Sequence, residues 1–255
     1  MTKVKKARLS SLVRAMHQGQ EKWRKTAWKT TLARHDDELN RALKQVNLLD
    51  IWSDKLTGKD FADRLMPEIW MDAYISVHLA GYGLYKYANA CLRSELETAL
   101  RLIFFSSHPN EFEWWLENHQ SYVKSQGYTD VWGKDFSYFE KLKQVRKFVK
   151  SQRKGSNLFK GKGSVPDIYG KLSKYVHSVV FCLQTDPESF SPVYKVGEFK
   201  KWHGNFRAIQ NTVNLLLVLT FANEFKTMYR QNQCSILADG VKPSHRDKLA
   251  ELLRN

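Results

Sequence analysis

With 255 residues and a net charge of +15, the chain is long enough to bury a full core without disulfide or metal staples, and its basic balance favours polyanionic partners over acidic ones. Its three cysteines, Cys91, Cys182 and Cys234, are odd in number and follow no metal-ligand spacing, so the expectation is a reducing, cytoplasmic compartment with no metal centre. The longest apolar run, Leu215–Leu219 extended through Phe221 and Ala222, is far shorter than a membrane span, and the N-terminus has no continuous apolar stretch that would make a signal peptide or anchor.

Charge is unevenly spread. Residues 1–34 hold ten Lys or Arg against the single acid Glu21, and residues 141–174 hold eleven against Asp167. Between them, residues 36–72 carry nine Asp or Glu against five Lys or Arg. Two separated basic blocks point to a nucleic-acid surface; solvated helix faces in a basic protein are the alternative.

In chain order, Leu9, Leu12, Val13, Met16, Trp23 and Ala27 keep an approximate helical phase, with cations around that stripe. Asp36 and Asp37 then start a second helix whose buried side is Leu39, Ala42, Leu43, Val46 and Leu49. The pair is expected to form an appended hairpin, a basic N-terminal helical extension over residues 1–60. Trp23 and Trp28 interleave with the cations, as on nucleic-acid stacking platforms, although tryptophan at helical spacing more often packs. Thr57-Gly58 and the residues up to Pro67 read as a connection.

From Pro67 to Phe105 one apolar phase runs through Trp70, Ala73, Val77, Ala80, Leu84, Ala88, Leu92, Leu96, Ala99 and Ile103, predicting a single helix of about ten turns. Gly81 lies on its apolar face, where the absent side chain would let another helix approach closely. Asn89, Arg93 and Glu97 form an i, i+4, i+8 polar row, either an exposed Arg–Glu pair or a row aimed at a cleft. Ser107-His108-Pro109-Asn110 closes this helix and opens another through Phe112, Trp115 and Leu116. A helix is expected again from about residue 134 to Ser151, with Val145 and Val149 inside and Lys141, Lys143, Arg146, Lys147 and Lys150 outside. The following RKGSNLFKGKG, Arg153–Gly163, is an aperiodic basic loop that matches no phosphate-loop pattern.

Ser164 is a plausible N-cap for the next helix, with Pro166 in the first turn and Asp167 three residues on. Val165, Ile168, Leu172, Val176, Val179 and Leu183 give its buried face, with Tyr175 at the edge; Ser173, Lys174, His177 and Ser178 share another. Asp186 to Glu198 is irregular, and a long helix follows from about Phe199 to Arg230. Asp239-Gly240 is a turn, and Ser244 with Asp247 caps a short terminal helix. No segment predicts a strand. Four long helices, at 67–105, 134–151, 164–184 and 199–230, predict an all-α up-and-down bundle over residues 61–235, with a helical tail at 236–255.

Common catalytic templates fail: there is no H-E-x-x-H, G-x-S-x-G or C-x-x-C, and Glu95 and Glu97 fall on different helix faces. Two stretches, ACLRSELETALRLIFFSSHP (Ala90–Pro109) and IYGKLSKYVHS (Ile168–Ser178), together with the closing helix, resemble the HEPN-like superfamily. These are small helical bundles of prokaryotic defence systems, toxin–antitoxin pairs and RNA- or nucleotide-handling proteins, and the resemblance covers roughly residues 67–230. It implies a protein that binds RNA or other nucleic acid, needs no cofactor and works as a homodimer away from membranes. In ribonuclease members an Arg, four to six residues and a His act without metal, the His on the attacking 2′-hydroxyl or the leaving oxygen. Here His177 matches, but Lys171 (or, failing that, Lys174) stands where the Arg would be. Lysine supplies the charge without the two-pronged hydrogen bonding of guanidinium. Arg93 and Glu97 correspond to the family's polar residues on its earlier helix, with Asn89 one turn before, and Ser173 is placed to orient His177. Lys147, Lys150, Arg153, Lys154, Lys160, Lys162 and Lys174 would meet the phosphates. The alternative reading is a catalytically inactive assembly subunit that docks a protein partner of a defence complex, with His177 serving helix packing.

Overall fold

The computed structural model describes residues 3–125, 142–151, 158–161, 163–176 and 194–254, and they form an all-α helical bundle. The first element, α1 (Lys3–Leu56), is not a hairpin but one long helix bent at His35, whose φ of −143° and ψ of 31° leave the helical region. Tertiary contacts explain the bend. His35 is buried, stacks on Phe199 with centroids 4.0 Å apart, and shares a 2.7 Å hydrogen bond between its Nε2 and the Tyr194 hydroxyl. Beyond it, Leu39, Val46, Leu49, Trp52 and Leu56 are fully or nearly buried in the one main core. Residues 36–56 are thus a wall of the bundle, where an appended arm was expected.

The connection to α2 (Asp60–Gly81) is shorter than the sequence suggested. Asp60 and Asp63 lie in the first turn, where carboxylates suit the helix dipole, and Asp63 accepts from the Gly58 N–H at 3.1 Å. Pro67 therefore sits inside the helix and not in its first turn, at the cost of one backbone donor.

The expected 67–105 helix is two helices, α2 and α3 (Tyr85–Phe105), folded back on each other. Gly83 makes the reversal with φ +78°, a left-handed conformation open to glycine at little cost. Tyr82, Gly83 and Leu84 span about 300° of helical phase, close to one turn. The apolar stripe therefore re-enters in register while the chain changes direction. Gly81 does admit a neighbouring helix: the Trp28 indole of α1 fills the space a side chain would need, and Thr31 donates to the Gly81 carbonyl at 3.0 Å.

After α4 (Pro109–Ser125), which opens on a proline as expected, come α5 (Lys143–Ser151) and α6 (Val165–Val176). Ser164 caps α6 through a 3.4 Å bond from the Asp167 N–H, while Asp167 accepts from Gly163 at 2.7 Å. Val165, Ile168, Leu172 and Tyr175 are buried, but Val176 is 43% exposed. The inward stripe follows the 165, 168, 172, 175 spacing and turns Val176 out. α7 (Val196–Thr220) is the central helix. It stops at Phe221, where φ −106° and ψ 45° break the helix that was expected to reach Arg230. Short α8 (Ala222–Lys226), α9 (Arg230–Ser235), a π-helical turn (Ile236–Gly240) and α10 (Pro243–Arg254) complete the chain.

Contacts give the helix directions. His35 meets Tyr194 and Trp52 meets Asn214, so the second half of α1 runs parallel to α7. Asn89 pairs with Asn205 and Glu95 with Gln210, so α3 also runs parallel to α7. α2 opposes all three. No described helix is long and apolar enough to cross a membrane.

Candidate functional site

Arg93 and Glu97 point from α3 towards α6, and what they meet there is Tyr169. Arg93 Nη2 donates to the Tyr169 hydroxyl at 3.0 Å, the hydroxyl donates to Glu97 Oε1 at 2.9 Å, and Arg93 Nη2 also lies 2.9 Å from Glu97 Oε1. The guanidinium carbon sits 5.1 Å from the Tyr169 ring centroid, adding a cation–π contact. The Arg93 and Glu97 side chains are only 14% and 10% exposed, so this is a shielded knot and not a surface ion pair. Burial works against the Arg93 charge, but the hydrogen bond to Tyr169 and the charge of Glu97 outweigh it and hold its pKa above the usual value. Burial, with Glu97 beside it, pushes the Tyr169 hydroxyl up.

The remaining candidate residues are placed differently. Asn89 is buried, donating to the Tyr85 carbonyl at 2.7 Å and accepting from Asn205 at 2.7 Å, so it faces α7. Lys171 pairs with Asp167 one turn earlier at 2.6 Å on the outer side of α6. Ser173 donates back to the Tyr169 carbonyl at 2.8 Å. Lys174, Lys147, Lys150 and Lys160 are exposed. His177, Arg153, Lys154 and Lys162 lie outside the described residues. The structure thus brings Arg93 and Glu97 together with α6, while Asn89 and Lys171 turn elsewhere.

Sequence reasoning missed the tyrosine and a set of buried carboxyls. Tyr169 stands next to the apolar position Ile168, and a half-buried tyrosine at the edge of a helix stripe generally finds a partner for its hydroxyl. Glu95, fully buried, accepts from Gln210 Nε2 at 2.7 Å; its Oε2 and Gln210 Oε1 have no hydrogen-bond partner among the described residues. Burial, and secondarily the charge of Asp72, drive the Glu95 carboxyl well above its usual pKa. Asp72 on α2 is raised too, by burial and by Glu68 and Glu97 nearby, against the hydrogen bond it receives from Ser94. Next to them the Cys91 thiol is pushed up to about 11 by burial, Asp72 and Glu95, which makes it a poor nucleophile. Among the described residues, no group of three His, Cys, Asp or Glu is arranged to hold a metal ion.

No family model, curated protein or solved structure matches the chain.

Chemically, the knot is a clamp. Arg93 Nη2 serves both Tyr169 and Glu97, while its buried Nε has no hydrogen-bond partner among the described residues; the pairing fixes α6 against α3 and leaves the outer face of α6 to Lys171 and Lys174. Tyr169→Phe should remove a hydroxyl that bridges two charged groups and cost about 1–3 kcal/mol. Urea unfolding would show this as a lower midpoint at unchanged slope. A midpoint equal to that of the parent would mean that the direct Arg93–Glu97 pair suffices.

Proposed function

We propose that the protein is a nucleic-acid-binding helical bundle of the HEPN-like kind, which contacts phosphates through α5, the segment before α6, and α6 itself. One observation carries this reading: Lys143, Arg146, Lys147, Lys150, Lys160 and Lys174 are all exposed, and none is ion-paired with a described residue. A run of unpaired cations on adjacent segments suits a polyphosphate backbone, whose condensed counterions they would release. Lys171 is partly neutralised by Asp167 and contributes less.

The ribonuclease reading draws support from a different feature. Arg93 and Glu97, the residues that the resemblance assigns to the earlier helix, are bonded to a side chain of the very helix whose sequence leads to His177. In that reading His177 moves a proton while Lys171 or Lys174 meets the phosphate. A protein partner of a defence complex would then read the same basic face as a competitor of nucleic acid.

One titration tests both. Labelled single-stranded RNA is bound to the parent chain and to the Lys147→Glu/Lys150→Glu double variant from about 50 to 200 mM salt. Binding should fall steeply with salt, and the double variant should bind more weakly with a slope reduced by about two. Identical slopes would place the contact elsewhere. If the same samples also cleave the RNA, His177→Ala should abolish cleavage and keep binding; cleavage undiminished in that variant would remove the ribonuclease reading alone.

A further inference from the structure

The two basic blocks ride on different helices of the bundle. The second belongs to α5 and α6, whereas the first belongs to α1, which lies against the end of α2. At the first block, aromatic rings stand among the cations. Trp28 is committed to packing, since its indole fills the gap at Gly81 and stacks on His78 with centroids 5.8 Å apart and planes 11° apart. Tyr82 packs on Trp28 with centroids 5.2 Å apart and planes tilted by 42°. Trp23 is half-exposed and meets Tyr82 edge-on at 6.5 Å and 85°, with no other ring contact among the described residues. The exposed Arg24 lays its guanidinium over the Tyr82 ring, 4.9 Å from the centroid. Around these three, Lys22, Lys25 and Lys29 are exposed on the same helix, and Lys25 is partly neutralised by Glu21 at 2.7 Å.

A pre-stacked guanidinium and a half-open indole, set among cations, form a surface that suits unpaired bases. Every base offers a π-face to an indole or a guanidinium plane, and the flanking lysines track the phosphates. A duplex keeps its faces stacked internally and cannot use such a surface. We infer that Trp23, Arg24 and Tyr82 form a second contact site, specific for single-stranded nucleic acid, which rests on the nucleic-acid-binding reading above and assigns it strand preference.

The test uses the full chain and its Trp23→Ala, Trp23→Phe and Arg24→Gln variants, with fold checked by circular dichroism. Fluorescently labelled RNA and DNA single strands of about 20 nucleotides, and the duplex of the same sequence, serve as probes. Trp23→Ala should weaken single-strand binding about tenfold, in keeping with the loss of one stacked base. Trp23→Phe should recover most of the loss, and duplex binding should stay within about twofold of the parent. The salt slope should not change for Trp23→Ala, because no phosphate contact is lost, and should drop by about one for Arg24→Gln. Equal losses on single strand and duplex, or a Trp23→Ala variant indistinguishable from the parent, would overturn the site. If Lys147→Glu/Lys150→Glu abolishes binding while Trp23→Ala does not affect it, this inference falls and the proposed function stands. A parent chain that binds no probe at any salt removes both.

Discussion

Trp52→Ala should destabilise the protein by about 3–5 kcal/mol, the range for deleting a large buried aromatic. Trp52 has no exposed surface, stacks on Phe225 at 6.1 Å, lies 6.5 Å from Phe221, and donates from Nε1 to Asn214 Oδ1 at 3.2 Å. Truncation removes the apolar burial and strands the Asn214 carbonyl in the core, so the cavity cost and the unpaired acceptor add. The same change at Trp114, which is 42% exposed, should stay within about 0.5 kcal/mol. Chemical denaturation of the two variants side by side is the check. A Trp52→Ala loss below about 1 kcal/mol would mean that the second half of α1 is an appendage after all.

Glu95→Gln should stabilise the protein increasingly as pH rises. Burial and the nearby Asp72 charge raise the Glu95 carboxyl well above its usual range, so the folded state holds a proton that the unfolded state releases. Above the unfolded value of about 4.5 the unfolded chain binds fewer protons, and stability falls by about 1.4 kcal/mol per pH unit until the folded carboxyl itself ionises. Glutamine does not titrate and escapes this decline. Its amide also supplies a donor in a place where Gln210 Oε1 lacks one. Melting curves at several values from pH 4 to pH 8 should converge at the acid end and diverge above it, with Asp72 contributing the same trend to both proteins. Parallel curves would show that Glu95 ionises freely in the fold.

Much of the architecture was legible in the sequence, because helical periodicity reports burial directly. Spacing alone marks Leu39 to Leu49, Trp70 to Ala80 and Val165 to Leu172 as apolar faces, and Ser164 as a cap. Periodicity cannot report reversal of direction. The turn at Gly83 fits between two stripes that stay in phase, and the bend at His35 is imposed by Phe199 and Tyr194, more than 150 residues away in sequence. The candidate site was readable only in part for the same reason. The i, i+4 spacing marks Arg93 and Glu97 as neighbours, but nothing local says that Tyr169 closes over them. Glu95 carries no local mark either: its partner Gln210 is 115 positions distant.

The parallel course of α3 and α7 has a bearing on biogenesis. Ser76, Glu95 and Trp52 emerge from the ribosome 126, 115 and 162 residues ahead of Trp202, Gln210 and Asn214, the groups to which they hydrogen-bond. The first three helices can collapse on one another during synthesis, yet their shared interior remains a polar-lined trough until the last long helix is delivered. Maturation of the interior therefore waits until α7 has been translated, and the nascent chain carries its most vulnerable surface until then.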